Sequence, residues 1–146
     1  KLLDTYCHNY SFAFLMIAES IIFDKFFLTV VFDADERLLR LKWKGYASAD
    51  EFREGLRFLL SYLRENQVER CVSDLKFMST ILPQDEEWAS RCWYPRLVNS
   101  ALKKHAIVSS LDFLNNIAIR RIVGKPTGFE TQFFVSEGEA IDWVRR

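Results

Sequence analysis

The sequence predicts an α/β protein: a mixed, mostly parallel β-sheet opened by an antiparallel hairpin and joined by about four helices. Three observations predict it. Residues 26–33 and 39–43 are two β-rich runs separated by a short polar turn. Apolar strand-like runs recur at 68–75, 105–109 and 129–135, and stretches with helical spacing lie between them. Strands that alternate with helices require crossover connections, which are right-handed and lay their strands parallel.

Each element has its own local reason. Residues 26–33 are rich in β-branched and aromatic side chains, and after the turn at 34–37, Leu39, Leu41 and Trp43 alternate with Arg40, Lys42 and Lys44, giving a hairpin with one wet face. Ser48 followed by Glu51 forms a capping box, in which hydroxyl and carboxylate each satisfy a free backbone N–H. Behind it Phe52, Leu56, Leu59, Leu60 and Leu63 make the apolar stripe of a helix over 49–66. The strand at 68–75 holds Cys71 and Val72 and ends at Asp74, with 76–82 expected as a tight, exposed loop. Pro83 starts the next helix, and Asp85, Glu86 and Glu87 complement its dipole. That helix is expected to turn Trp88 and Cys92 inward and to break at Pro95 before a second helical piece at 96–103. Residues 105–109 form a buried strand. A helix over 112–123 comes next, with Leu114, Ile117, Ala118 and Ile122 as its stripe and Gly124 and Pro126 as its stop. Phe129, Thr131, Phe133 and Val135 alternate as a last strand, and Ser136 with Glu139 opens a terminal helix holding Ala140, Trp143 and Val144.

Composition narrows the function. A chain of 146 residues suits one domain with a sizeable core. Twenty basic and twenty acidic side chains cancel, so no summed positive field recruits a nucleic acid. Cys7, Cys71 and Cys92 are odd in number and lack CxxC spacing, and Cys71 and Cys92 are expected to be buried hydrophobes; a reducing, cytoplasmic setting is expected. The apolar run 12–18 is shorter than the roughly 20 residues a membrane span needs, and reads better as a strand or a packing arm than as a signal peptide.

This order, with a strand ending in Asp74-Leu75 ahead of a helix, resembles the STAS domain, named for sulfate transporters and anti-sigma-factor antagonists. The nearer likeness is to small stand-alone bacterial proteins, labelled STAS-like or SEC14-like, of unassigned role. Trp43-Lys44-Gly45, Glu51-Phe52-Arg53-Glu54-Gly55-Leu56, Asp74-Leu75, Trp88, Trp93-Tyr94-Pro95-Arg96 and Leu102-Lys103-Lys104 carry it. The resemblance implies a single domain over 22–146, with 1–21 as an N-terminal extension. It bears on fold more than on activity, because these are packing patterns and not a reactive motif. The antagonists carry a regulatory serine in an Asp-Ser-Ser-Gly-like turn. The corresponding stretch here, Ile81-Leu82-Pro83-Gln84, has no hydroxyl, and Ser79 and Thr80 lie a few residues early as the remaining phosphorylation candidates.

No catalytic signature is present. His8 and His105 lack ligand spacing, so neither a metal nor a cofactor is expected, and Gly124-Lys125 comes after a helix where a P-loop must precede one. A candidate binding surface remains: Asp74 and Lys76 at a strand end, Phe77 and Met78 in the loop, and Trp88, Trp93 and Arg96 on the helix after it. Residues five apart on an α-helix face different ways, so one of the two tryptophans is expected outside. Aromatic residues beside an arginine are favoured interface anchors. The leading expectation is a non-catalytic regulatory or scaffolding module that binds a protein partner or itself, including as a homodimer. The alternatives are a small apolar or acyl ligand of SEC14-like type, or an enzyme using Asp74 as base.

Overall fold

In the computed structural model, which describes residues 19–124 and 128–146, six strands form one sheet whose spatial order is the order of the chain. β1 (Glu19–Lys25), β2 (Leu28–Asp33) and β3 (Leu38–Gly45) form an antiparallel meander. β4 (Arg70–Met78), β5 (Lys104–Val108) and β6 (Glu130–Phe134) then add in parallel. The expected mixed, mostly parallel sheet with its opening hairpin is present. β1 is an additional edge strand that alternation does not reveal, because a bulge between Ile21 and Phe23 disrupts its period. The apolar run 12–18, Cys7, His8 and the expected helix stop at Pro126 lie outside the described residues.

Among the described residues four α-helices connect or cover the strands: α1 (Ala49–Glu65), α2 (Pro83–Trp88), α3 (Phe113–Val123) and α4 (Glu137–Arg145). Both arms of the Ser48–Glu51 capping box are made, at 2.8 and 3.3 Å. The expected α1 stripe is buried in full, together with Gly55. A Cβ at Gly55 would stand 2.8 Å from Cη2 of Trp43 and 2.9 Å from Cδ2 of Leu28, so glycine sets how closely α1 lies on the sheet.

All three crossover connections contribute to one large core on a single face, where Leu59, Trp93 and Ile122 meet Leu41, Cys71 and Ile107. α4 packs on the opposite face, against β4, β5 and β6. Its Ala140 and Val144 join Leu38, Val72, Ala106 and Val108 in a second, smaller core. Across the described strands the chain winds in one direction, and among them no point occurs where successive crossovers diverge to opposite faces and open a crevice.

Three expectations change. β4 runs to Met78, because Lys44 and Gly45 pair with Phe77 and Met78 past a bulge; Lys76, Phe77 and Met78 are strand residues, and the loop begins only at Ser79. Asp74 therefore lies inside the sheet, four residues short of the strand end and 7 % exposed. In α3 the buried positions are Asn115, Ala118, Ile119 and Ile122, whereas Leu114 faces out. The Asp112 cap sets the rotation of this helix, directing a polar residue inward.

The two ends of the sheet differ in chemistry. At the amino ends of β4–β6, Arg145 grips both carboxylate oxygens of Glu36 at 2.8 and 2.9 Å, Lys103 meets Glu69 at 3.0 Å, and Arg37 donates to the carbonyl of Gln67 at 2.9 Å. These partners hold the carboxyl groups of Glu36 and Glu69 below their usual range, through Arg145 and Lys103 respectively.

Candidate functional site: the carboxyl rim

Exposed apolar side chains concentrate at the other end, the carboxyl rim of β3–β6. Among the described residues ten large hydrophobics are exposed, and all but Ile21 and Val98 belong to this rim. Phe26 sits in the β1–β2 turn, which reaches the same end because Leu28 pairs with Trp43. Tyr46 lies just after β3, Phe77 is near the end of β4, and Leu82 precedes α2. Leu111, Phe113 and Leu114 come after β5 at 73, 75 and 63 % exposure, and Val135 comes after β6 at 84 %. Monomeric surfaces rarely collect apolar side chains this way without a use for them.

Hydrogen bonds stitch the rim loops together from below. The Ser79 N–H donates to the Gly45 carbonyl at 2.8 Å, the Leu111 N–H to the Lys76 carbonyl at 3.0 Å, and the Ser109 N–H to the Phe134 carbonyl at 2.9 Å. Asn115, fully buried, accepts from the Ile81 N–H at 3.3 Å and donates to the Met78 carbonyl at 3.3 Å; the Ser110 hydroxyl donates to that same carbonyl at 3.0 Å. Asn116 accepts from the Ser110 N–H and returns a bond to its carbonyl, both at 2.8 Å. Asp112 caps α3 through the N–H groups of Leu114 and Asn115 and accepts from the exposed Thr80 hydroxyl at 2.6 Å. The Thr80 bond, then that from Asn115, pulls the Asp112 carboxyl below its ordinary range. The loops that carry the apolar side chains are thus rigidly presented, since a satisfied buried network fixes one geometry.

The sequence-derived candidates divide. Lys76 and Phe77 are exposed at the rim, with the Lys76 ammonium 5.4 Å from the centre of the Phe77 ring. Ser79, Thr80 and Arg96 are exposed too. Met78 is buried in the core, and Asp74 binds its own strand, accepting from the Lys76 N–H at 3.0 Å. The expectation that Asp74 marks the rim fails because β4 continues beyond it.

Trp88 and Trp93 share a side, contrary to the α-helical expectation. Between them the helix loosens into a π turn (Ala89–Trp93), whose Tyr94 N–H reaches back five residues to the Ala89 carbonyl, and then tightens into a 3-10 segment (Tyr94–Asn99) containing Pro95. Residues five apart now face the same way. Trp88 lies half-buried under Arg53 and Arg57 of α1, whose guanidinium carbons are 5.1 and 5.3 Å from its ring centre, and Trp93 is buried with its indole N–H donating to the Leu56 carbonyl of α1. The same rewinding exposes Cys92, expected inside. Arg53 also pairs with the buried Asp85 at 3.1 Å, locking α1 to α2.

Sequence reasoning missed Asn115, Ser110, Leu111 and Phe113. The readable signal was Asp112 as a helix cap, which makes Phe113 and Leu114 first-turn residues, close to the end where a helix meets water.

In the core, Ser73 Oγ and His105 Nε2 lie 2.9 Å apart, and among the described residues no partner reaches His105 Nδ1. Burial lowers the imidazole pKa to about 4 and raises the Cys71 thiol to about 12, so at neutral pH both are uncharged and unreactive. Both line a closed space of about 20 Å³ between sheet and helices. The described residues hold no cluster of side chains able to bind a metal and no helix long and apolar enough to cross a membrane.

No family model matches the chain, and no curated protein matches it. Among solved structures, that of an uncharacterized protein of the DUF3478 family with a SpoIIAA-like fold, from Shewanella loihica PV-4, is similar with a TM-score of 0.54 at 18% identity, covering 87% of this chain and 92% of that one. At that identity the likeness is one of fold, and the fold is SpoIIAA-like, the STAS-like arrangement of a mixed sheet with an antiparallel start.

Proposed function

We propose that this protein is a non-catalytic interaction module that binds a protein partner through its carboxyl rim. The observation that carries this reading is the collection of eight exposed apolar side chains at one rim, on its turns and loops, at the end of β4 and in the first turn of α3, above a network of hydrogen bonds that braces the loops from beneath. Winding in one direction supports it, because a sheet without a diverging crossover offers a flat face and no crevice for a small substrate. The alternative of an apolar or acyl ligand in the SEC14-like manner would need a cavity of some hundreds of Å³. The space between sheet and helices is about 20 Å³, room for about one water, and the larger hollows, of about 350 and 390 Å³, are open to solvent and lined mainly by charged side chains such as Glu86, Arg121, Arg40 and Lys42. A role for Asp74 as catalytic base is disfavoured by its bond to its own backbone.

A photo-crosslinking residue placed at Leu111, with the same residue at the exposed but remote Val98 as control, tests the reading in host cells. The expected result is a discrete adduct from position 111 alone, lost when Phe113→Asp is added. Equal labelling from both positions, or an adduct indifferent to Phe113→Asp, overturns it.

A further inference from the structure

We propose that the partner segment seated on the rim is a cationic amphipathic helix of another protein, and not a second copy of this chain or an anionic lipid surface; this rests on the rim being a docking face. Its apolar strip is bordered by carboxylates. All four described α-helices begin at this end, and the starts of three carry acids that complement the helix dipoles there: Asp50 in α1, Asp112 capping α3, and Glu137 and Glu139 in α4. Three lysines share the rim: Lys25 at the end of β1, Lys44 near the end of β3, which donates to Thr29, and Lys76, whose ammonium is turned over Phe77; Asp24 and Glu51 join the four acids named, so carboxylates outnumber them six to three.

Sign decides between occupants. Isologous self-packing would set this acidic border against itself, and like charges across an interface cost affinity. A bilayer rich in anionic lipid attracts basic segments and repels this border. A helix with an apolar stripe flanked by Lys or Arg complements both features at once. Size agrees: from the β1–β2 turn to the end of β6 the strip crosses four strand spacings, roughly 19 Å, the length of about 13 helical residues.

The test titrates the full chain with an 18-residue Leu/Lys amphipathic peptide, with its Leu/Glu counterpart, and with phosphatidylglycerol vesicles, while light scattering reports its own association. The Leu/Lys peptide is expected to bind, at least tenfold more weakly to the Phe113→Ser/Leu114→Ser variant, and several-fold more weakly with a flatter salt dependence to Asp50→Asn/Glu139→Gln. A Leu/Glu peptide that binds as tightly through the same apolar residues overturns the cationic assignment and leaves the docking face standing. Vesicle binding or dimerisation abolished by Phe113→Ser/Leu114→Ser assigns the other occupants and overturns it too. Binding of the Leu/Lys peptide that ignores Phe113→Ser/Leu114→Ser defeats the docking face as well, and unchanged thermal melting of these variants confirms that each outcome reports on the surface.

Discussion

The amino and carboxyl ends of the sheet each carry one hairpin turn and a set of strand–helix connections, yet they resolve their surfaces in opposite ways. At the amino end, side chains answer one another or the nearby backbone: Arg145 with Glu36, Lys103 with Glu69, Arg37 with the Gln67 carbonyl. At the carboxyl end the backbone is answered from beneath by Asn115, Ser110 and Asp112, and the apolar side chains above are left without cover. Both ends are ordered, so order alone does not mark function. The distinguishing property is apolar area that the fold holds out to water at a cost it does not need to bear.

The largest way to break that contrast is to remove the bracket under the carboxyl rim. Asn115→Leu keeps the branching of the side chain but strands the buried Ile81 N–H, which should cost about 2–3 kcal/mol. By calorimetry that is a fall in Tm on the order of 5–10 °C. A similar sum is expected from His105 on acidification. Its imidazole has a pKa of about 4 when folded against 6.5 when exposed, so the unfolded chain takes up the proton first. Stability is therefore complete above about pH 6.5, declines as pH falls toward 4, and loses up to about 3 kcal/mol. Denaturant melts of His105→Gln across that window should lose this slope while keeping a hydrogen-bond partner for Ser73. The smallest effect belongs to the amino rim: Glu36→Gln deletes a solvent-exposed ion pair, and such pairs contribute little, so its urea midpoint should stay close to the parent's with less dependence on salt. A large loss there would mean that the charged rim, too, is under strain, and would blunt the comparison.

The same two ends separate the legible from the illegible in the chain. Capping boxes and apolar stripes are local, so Ser48, Glu51 and the face from Phe52 to Leu63 were legible in full. The end of β4 was not, because Phe77 and Met78 are strand only by virtue of pairing with Lys44 and Gly45, in a partner on the far side of a whole helix that sequence periodicity does not see. The two tryptophans were misplaced because a single π turn changes which residues share a side. Phe113 and Leu114 were obscured by the rule that apolar residues of a helix face the core; here a buried asparagine takes the inward position, and the hydrophobes it displaces become the candidate surface.

Strand order that copies chain order has a further consequence for how the protein is made. Every described strand after β1 pairs with the strand that precedes it in the chain, so pairing can proceed as the nascent chain emerges, across two tight turns and then one helical crossover at a time, with no early strand left waiting for a late one. Helix α4, which follows β6, then covers only the parallel half of the sheet.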